Sequence, residues 1–290
     1  MKGGDAVLGE RAVPDFLYIG TSKAGSTWLF NVLARHPDVY LASNKGLYYF
    51  DQHYEKGPDW YRAQFAGSDD HTVVGEISHS YLSSPEAPGR IAEMNPRTKL
   101  LVCLREPVDR AFSDYLDLVK NGQHDGSFES ALERFPRLLE RGRYASHLQR
   151  YLTYFPREQL QIQLFDDLRK DAQRYADLTF QFLGVAPLQL PQTELRSRMP
   201  AATPRSVILA KTAKAASAAF KRVGLRRVRS RVKRSVVIRQ ALYRPYRDDR
   251  PVIDPELALE LRRGFAHEVR QLDSLVDTPV ADRWGYRHSG

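Results

Sequence analysis

The 290-residue sequence predicts a three-layer α/β domain, with helices covering both faces of a central parallel sheet. Three observations point there. Short apolar runs bounded by turn residues recur at 16–19, 73–77, 100–104 and 160–165. A stretch with helical spacing follows each run, and strand–helix alternation of this kind builds parallel sheets through crossover helices. The 42% hydrophobic content is enough for one good-sized core.

Taken in order, the run "FLYI" leads through "GTSKAGST" at 20–27 into a helical pattern at 26–36. Prolines punctuate both ends of a helix at 84–96. "PVDRAFSDYLDLVKNG" opens with proline in its first turn and closes at Asn121-Gly122, both good helix boundaries. Asp254-Pro255 offers a cap and a first-turn proline for a last helix, whose Leu257, Leu261, Phe265, Val269 and Leu272 share one face and pack it back on the domain. The expected organisation is one domain: a core at 14–190, a basic helical segment at 191–254 and a C-terminal helix at 255–290.

Composition narrows the classes further. A lone cysteine, Cys103, inside "KLLVCL" reads as a buried strand residue and excludes a multi-cysteine metal site. No apolar run of about 18 residues appears, so no membrane span is expected. The N-terminus shows no apolar stretch of signal-peptide length, which sets the expectation of a cytoplasmic protein. The net charge of +9 is local. Residues 211–250 hold 14 Lys and Arg against 2 acids, leaving 30 basic and 33 acidic residues elsewhere.

The stretch "GTSKAGST" sits where a strand-to-helix phosphate loop belongs. A nucleoside-triphosphate loop reads Gly, four residues, Gly, Lys and a hydroxyl residue, the lysine reaching the phosphates and the hydroxyl holding magnesium. Here the spacing from Gly20 to Gly25 is kept, but Ser26 stands at the lysine position and the only lysine, Lys23, lies inside the loop. Glycines let backbone approach an anion, and the helix N-terminus adds about half a unit of positive charge. Taken alone, the loop is better read as a tight turn with no ligand. In "CLREPVDRAFSDY", Arg105 ends an apolar strand and Ser113 follows two helical turns later; a guanidinium fork and a hydroxyl suit a second phosphate. On its own, Arg105 is better read as a surface pair with Glu106 or Asp109.

Together the segments resemble the sulfotransferase superfamily. "SKAGSTW" resembles its 5′-phosphosulfate loop and "REPVDRAFSDY" its 3′-phosphate motif. The intervening "NKGLYYFDQHYEKGPDWYRAQF" and "GEISHSYLSSPEAPGRIAEMNPRTKLLVCLREP" are similar to the heparan sulfate 3-O- and N-sulfotransferase branch. The resemblance covers 16 to about 185, weakens through the basic region and returns faintly at "LDSLVDTPVADRW". It implies 3′-phosphoadenosine 5′-phosphosulfate (PAPS) as sulfuryl donor, no metal, and a hydroxyl acceptor, with an amine as second choice, on a carbohydrate, glycolipid or small natural product. Donor contacts implied are Ser22, Lys23, Ala24, Gly25, Ser26, Thr27, Trp28, Arg105, Ser113 and, in a flexible segment over the donor, Arg205. Lys23 is implied to face the oxygen that gains charge as the bond breaks. Glu76 matches the branch's catalytic glutamate as base, with His79 as its rival; Lys45, Tyr48 and His79 are the acceptor-side candidates. Gly46 stands where Glu is usual, Tyr48 where His is usual, and Ile77 replaces a Lys, so heparan sulfate itself is not the expected acceptor.

Two other readings remain at this point. One is a P-loop kinase, against which Ser26 argues. The other is a basic membrane- or nucleic-acid-binding protein with a vestigial loop. In 211–250, Val228, Val232 and Val236 share a helical face with Arg227, Arg231 and Arg234 alongside. That pattern suits an anionic membrane surface, an acidic acceptor or a lid, so peripheral membrane attachment is the second localisation expected; no nucleic acid is expected.

Overall fold

The computed structural model describes residues 13–42, 44–68, 70–195, 202–204, 243–245, 251–276 and 278–286. The chain divides into two compact units: Met1–Pro107, Arg143–Ser197 and Arg263–Gly290 form one, and Val108–Gly142 with Arg198–Arg262 the other.

The first unit is built on five parallel strands, β1 (Phe16–Gly20), β2 (Val39–Leu41), β3 (Val73–Ile77), β4 (Lys99–Leu104) and β5 (Leu160–Leu164), in the order β2-β3-β1-β4-β5. Every residue of β1 and β3 is buried. A parallel strand covered on both faces favours apolar residues over a polar–apolar alternation, which is why β1 reads as an apolar run and β3 as one interrupted by Gly75 and Glu76. Leu17 pairs with Glu76 on one side and Leu100 on the other, so the carboxyl ends of β3 and β4 flank that of β1. From β1 the chain first builds β2 and β3 to one side and then β4 and β5 to the other. The end of β1 is therefore the point where strand order reverses, where open α/β sheets bind ligands.

Helices α1 (Ser26–Leu33), α2 (Tyr49–Gln52), α3 (Gly57–Arg62) and α4 (Ala87–Met94) fall in sequence before β4. Between β4 and β5 come α5 (Pro107–Lys120), α6 (Phe128–Arg134), α7 (Arg137–Glu140) and α8 (Tyr144–Leu152). Then follow α9 (Phe165–Lys170), α10 (Ala172–Leu183), α11 (Gln192–Leu195), α12 (Pro255–Leu272) and α13 (Val280–Arg283). The core of the first unit joins Trp28, Val32 and Leu33 of α1 to Tyr175, Phe180 and Leu183 of α10. Gly184 ends α10 in the left-handed region at φ 81, and Lys99 Nζ donates to the Phe182 carbonyl at 2.7 Å, a cation on the negative end of the helix. Phe265, Val269 and Leu272 in the second half of α12 are buried, and Glu268 beside them accepts hydrogen bonds from the Ser146 amide (3.2 Å) and hydroxyl. Beyond α13, Trp284 donates to Asp166 at 2.9 Å and Tyr286 to Glu106, fixing the end of the described chain to α9 and to the segment just after β4.

The second unit has its own cluster, in which Phe112, Tyr115, Phe128 and Leu138 are buried and Leu257 and Leu261 of α12 pack against them. Arg110 is fully buried there. Its guanidinium donates to the Leu138 carbonyl and meets Asp114 at 3.3 Å, which Arg141 also reaches at 3.2 Å. Strands β6 (Ala202–Pro204) and β7 (Tyr243–Pro245) pair antiparallel in this unit. The expected amphipathic stretch around Val228, Val232 and Val236 with Arg227, Arg231 and Arg234 lies outside the described residues.

Candidate active site

The loop after β1 is held from beneath and from the side. The Thr21 amide donates to the Cys103 carbonyl on β4 at 3.0 Å, and the buried Tyr18 hydroxyl donates to the Thr21 carbonyl at 3.0 Å. Arg105, at the end of β4, donates from Nη1 to the Lys23 carbonyl at 3.2 Å, its guanidinium centre 5.1 Å from the Phe165 ring centroid. Lys23 adopts φ 66 and Gly25 φ 85, so the loop turns through the left-handed region twice. A Cβ at Gly25 would also lie 2.5 Å from Leu168 Cδ2. The N-terminus of α1 has no side-chain cap and no acidic residue in its first turn. Its amides are directed at a region that Lys23, Arg105 and a further lysine make cationic, an arrangement that fits a bound anion.

That further lysine is Lys45, from the segment between β2 and α2. Its Nζ donates to Ser26 Oγ at 3.0 Å and to Thr27 Oγ1 at 2.6 Å. Burial, and secondly the charge of Lys23, lower its pKa to about 8. Sequence placed Lys45 with the acceptor; the structure puts it on the hydroxyls of the β1 loop.

Glu76, at the end of β3, is 1% exposed. Tyr61 donates to its Oε2 at 2.6 Å, while Tyr81 at 2.8 Å and Ser78 donate to Oε1. Burial pushes its pKa up and the three hydroxyls pull it back. Two of those hydroxyls carry the restraint onward: Ser78 Oγ accepts from the Tyr48 amide at 3.1 Å, and the Tyr81 oxygen from the Tyr49 amide at 2.8 Å. The carboxylate thus fixes the backbone entering α2, where Tyr48 sits at φ 53. The Tyr48 hydroxyl lies 2.8 Å from His79 Nε2, and both side chains are partly exposed. Gly46, at φ 79, makes room for this: a Cβ there would stand 2.6 Å from the Tyr48 ring.

The remaining candidates divide. Ser22 and Ala24 are buried in the loop and Ser26 at the start of α1, where their amides are suited to an anion. Trp28 is buried in the core, edge-on to Tyr175 at 5.6 Å, with Nε1 donating to the Glu194 carbonyl at 3.0 Å, and so anchors α1 from behind. Ser113 lies in α5, partly exposed. Arg205 falls outside the described residues. Among the described residues no group of three or more His, Cys, Asp or Glu side chains is placed to hold a metal ion, and no helix is long and apolar enough to cross a membrane. Sequence reasoning missed Tyr61, Ser78 and Tyr81. The signal was there: a glutamate inside an apolar strand must find donors, and "YYFDQHYEKGPDWY" is rich in them.

Comparison with known proteins bears on the family and the fold. The model of the sulfotransferase domain family matches residues 13–201. Human heparan sulfate glucosamine 3-O-sulfotransferase 6 is 36% identical over 156 residues, 51% of this chain and 45% of that protein. The chain thus spans about half the length of the curated relatives it matches. Among solved structures, a sulfotransferase from Alicyclobacillus acidocaldarius superposes with TM-score 0.67 at 24% identity, over 94% of this chain and 99% of that one. Mouse sulfotransferase SULT7A1 complexed with PAP superposes with TM-score 0.51 at 14% identity, over 96% and 89%. These two likenesses bear on the fold, a five-stranded parallel sheet flanked by helices. The kinase and vestigial-loop readings are not favoured, and the chain belongs to the sulfotransferase domain family.

Proposed function

We propose that this chain transfers a sulfuryl group from PAPS to a hydroxyl, with an amine as second choice, on a carbohydrate, glycolipid or small natural product. The observation that carries this reading is the convergence of Lys23, Lys45 and Arg105 on an uncapped helix N-terminus at the switch point of the sheet. The 3-O-sulfotransferase relatives favour a carbohydrate among these acceptors. When bound, PAPS supplies an activated sulfuryl group whose departure leaves adenosine 3′,5′-bisphosphate.

The chain's own residues then have distinct tasks. The amides of residues 22–27 and the Lys23 ammonium face the 5′-phosphosulfate, with Lys23 meeting the negative charge that develops on the bridging oxygen. Arg105 and Ser113 are assigned to the 3′-phosphate on their motif spacing, and Arg205 to a further phosphate contact on the resemblance alone. As the acceptor oxygen bonds to sulfur and the bond from sulfur to the bridging oxygen breaks, the acceptor's proton must leave. The Tyr48 hydroxyl takes it while passing its own proton to His79 Nε2. Glu76, closed off by three hydroxyls, supports this pair as a positioning residue rather than meeting the acceptor itself. The compartment we assign is the cytoplasm, and to residues 211–250 we assign, on their charge alone, an acidic acceptor or an anionic membrane as partner.

The direct test is calorimetric titration with adenosine 3′,5′-bisphosphate beside a transfer assay. Saturable binding that Lys23→Ala barely weakens, together with a large loss of turnover, supports the reading. Absence of binding by the wild-type chain refutes it.

A further inference from the structure

We propose that Lys45 belongs to the donor site and acts as a built-in cation at the place where a nucleoside-triphosphate loop carries magnesium, which makes the loop selective for a metal-free phosphosulfate over a metal-bound polyphosphate. The inference rests on the donor reading above and adds to it a residue and a basis for ligand choice.

The spacing from Gly20 and Gly25 puts Ser26 at the position of the missing phosphate-reaching lysine and Thr27 at the position of the hydroxyl that holds magnesium. Lys45 Nζ touches both, at 3.0 Å from Ser26 Oγ and 2.6 Å from Thr27 Oγ1. One ammonium therefore stands over two vacated roles. By donating to the two hydroxyls it occupies one lone pair on each oxygen and sets a positive charge where a divalent ion would sit, and their O–H groups stay directed away from it, available to an anion. An ammonium has three N–H groups, so a third remains for a ligand oxygen.

The chain delivers Lys45 to this spot through the sheet. The Ala42 amide donates to the Gly75 carbonyl at 3.0 Å and the Gly46 amide to the Ile77 carbonyl at 2.9 Å, which ties the segment on either side of Lys45 to β3. Its charged neighbour is Lys23, from the loop itself. Burial, and secondly repulsion between the two ammonium groups, hold the Lys45 pKa down. An anion relieves that repulsion and a divalent cation at Thr27 adds to it.

The experiment is calorimetric titration of the full chain and of Lys45→Met with adenosine 3′,5′-bisphosphate, each in excess EDTA and in millimolar Mg²⁺. The wild-type chain should bind equally in both. Lys45→Met should bind about 10- to 100-fold more weakly in EDTA, the loss of one charge-assisted hydrogen bond, and recover part of that loss in Mg²⁺. Lys45→Gln, which keeps polarity without charge, is read the same way should Lys45→Met not fold. Wild-type affinity of the variant in EDTA overturns the proposal, as does a Mg²⁺ gain in the wild-type chain equal to that of the variant. A wild-type chain that ignores the bisphosphate in both conditions overturns the donor reading itself.

Discussion

At Lys45 the direction of the pH dependence follows from its surroundings. Its pKa of about 8 in the ligand-free fold means that the ammonium is present below that pH and lost above it. A bound anion favours the ammonium, so bisphosphate affinity should hold steady at lower pH and fall as pH rises through about 8, by at most about tenfold per pH unit. Lys45→Met should lack that step, which titrations from pH 6.5 to 9.5 would show. At Lys23 the charge matters most when the bridging oxygen becomes anionic, so Lys23→Ala should lower kcat far more than it weakens the bisphosphate. Wild-type turnover with weaker binding would make it a plain phosphate ligand. The base is decided by comparing two neighbours. His79→Ala and Tyr48→Phe should each cost about 10²–10⁴-fold in kcat with donor binding kept, and the double variant little more than either single one. Glu76→Gln instead puts an amide N–H in place of one carboxylate oxygen, facing either the Tyr61 hydroxyl or those of Tyr81 and Ser78, and should lower the unfolding free energy by about 1–3 kcal/mol along with activity. A fully stable, inactive Glu76→Gln would return the base role to Glu76.

The β1 loop and α1 form the element on which the site depends. Gly25→Ala places a Cβ 2.5 Å from Leu168 Cδ2 at φ 85, so it should cost about 1–3 kcal/mol of stability in thermal unfolding and weaken the bisphosphate as the loop shifts. A variant with wild-type stability and affinity would show the turn to be less constrained than its geometry implies. Elements with strong periodicity were legible: β1, β3, β4 and β5 lie within a residue or so of the apolar runs, and α5 and α12 begin at their prolines. β2 was not, because "VYL" is too short to show a period. The loop, Arg105 and the Glu76–His79 strand end were legible as motifs. Their internal wiring was not, because it depends on side chains meeting across the sheet. Lys45 reaching Ser26 and Thr27, Tyr61 closing over Glu76, Tyr48 meeting His79 and Tyr48 filling the space above Gly46 are contacts between residues 15 to 31 positions apart or set by a left-handed turn. Trp28, by contrast, was read as a donor contact and is placed in the core.

Across the whole molecule the charge is divided. Residues 211–250 carry 14 basic residues, while the rest of the chain has more acids than bases. On the proposed donor site Lys23, Lys45 and Arg105 already serve the phosphosulfate nucleotide, and on that reading the basic segment is left to an acidic acceptor or an anionic surface, each basic residue near such a membrane contributing about 1 kcal/mol. Replacing Arg227, Arg231 and Arg234 with Gln should leave bisphosphate affinity unchanged and reduce binding to anionic vesicles, or raise the acceptor's KM, in a salt-sensitive way. Lost nucleotide affinity with vesicle binding intact would make the segment a donor-side lid. The family, the sheet and the loop converge on one central claim, that this fold binds a phosphosulfate nucleotide without a metal. Side-by-side calorimetry of adenosine 3′,5′-bisphosphate in EDTA and of ADP in Mg²⁺ tests it most directly. The account predicts saturable binding of the bisphosphate with ADP–Mg²⁺ far weaker; tight ADP–Mg²⁺ binding with the bisphosphate ignored would contradict it.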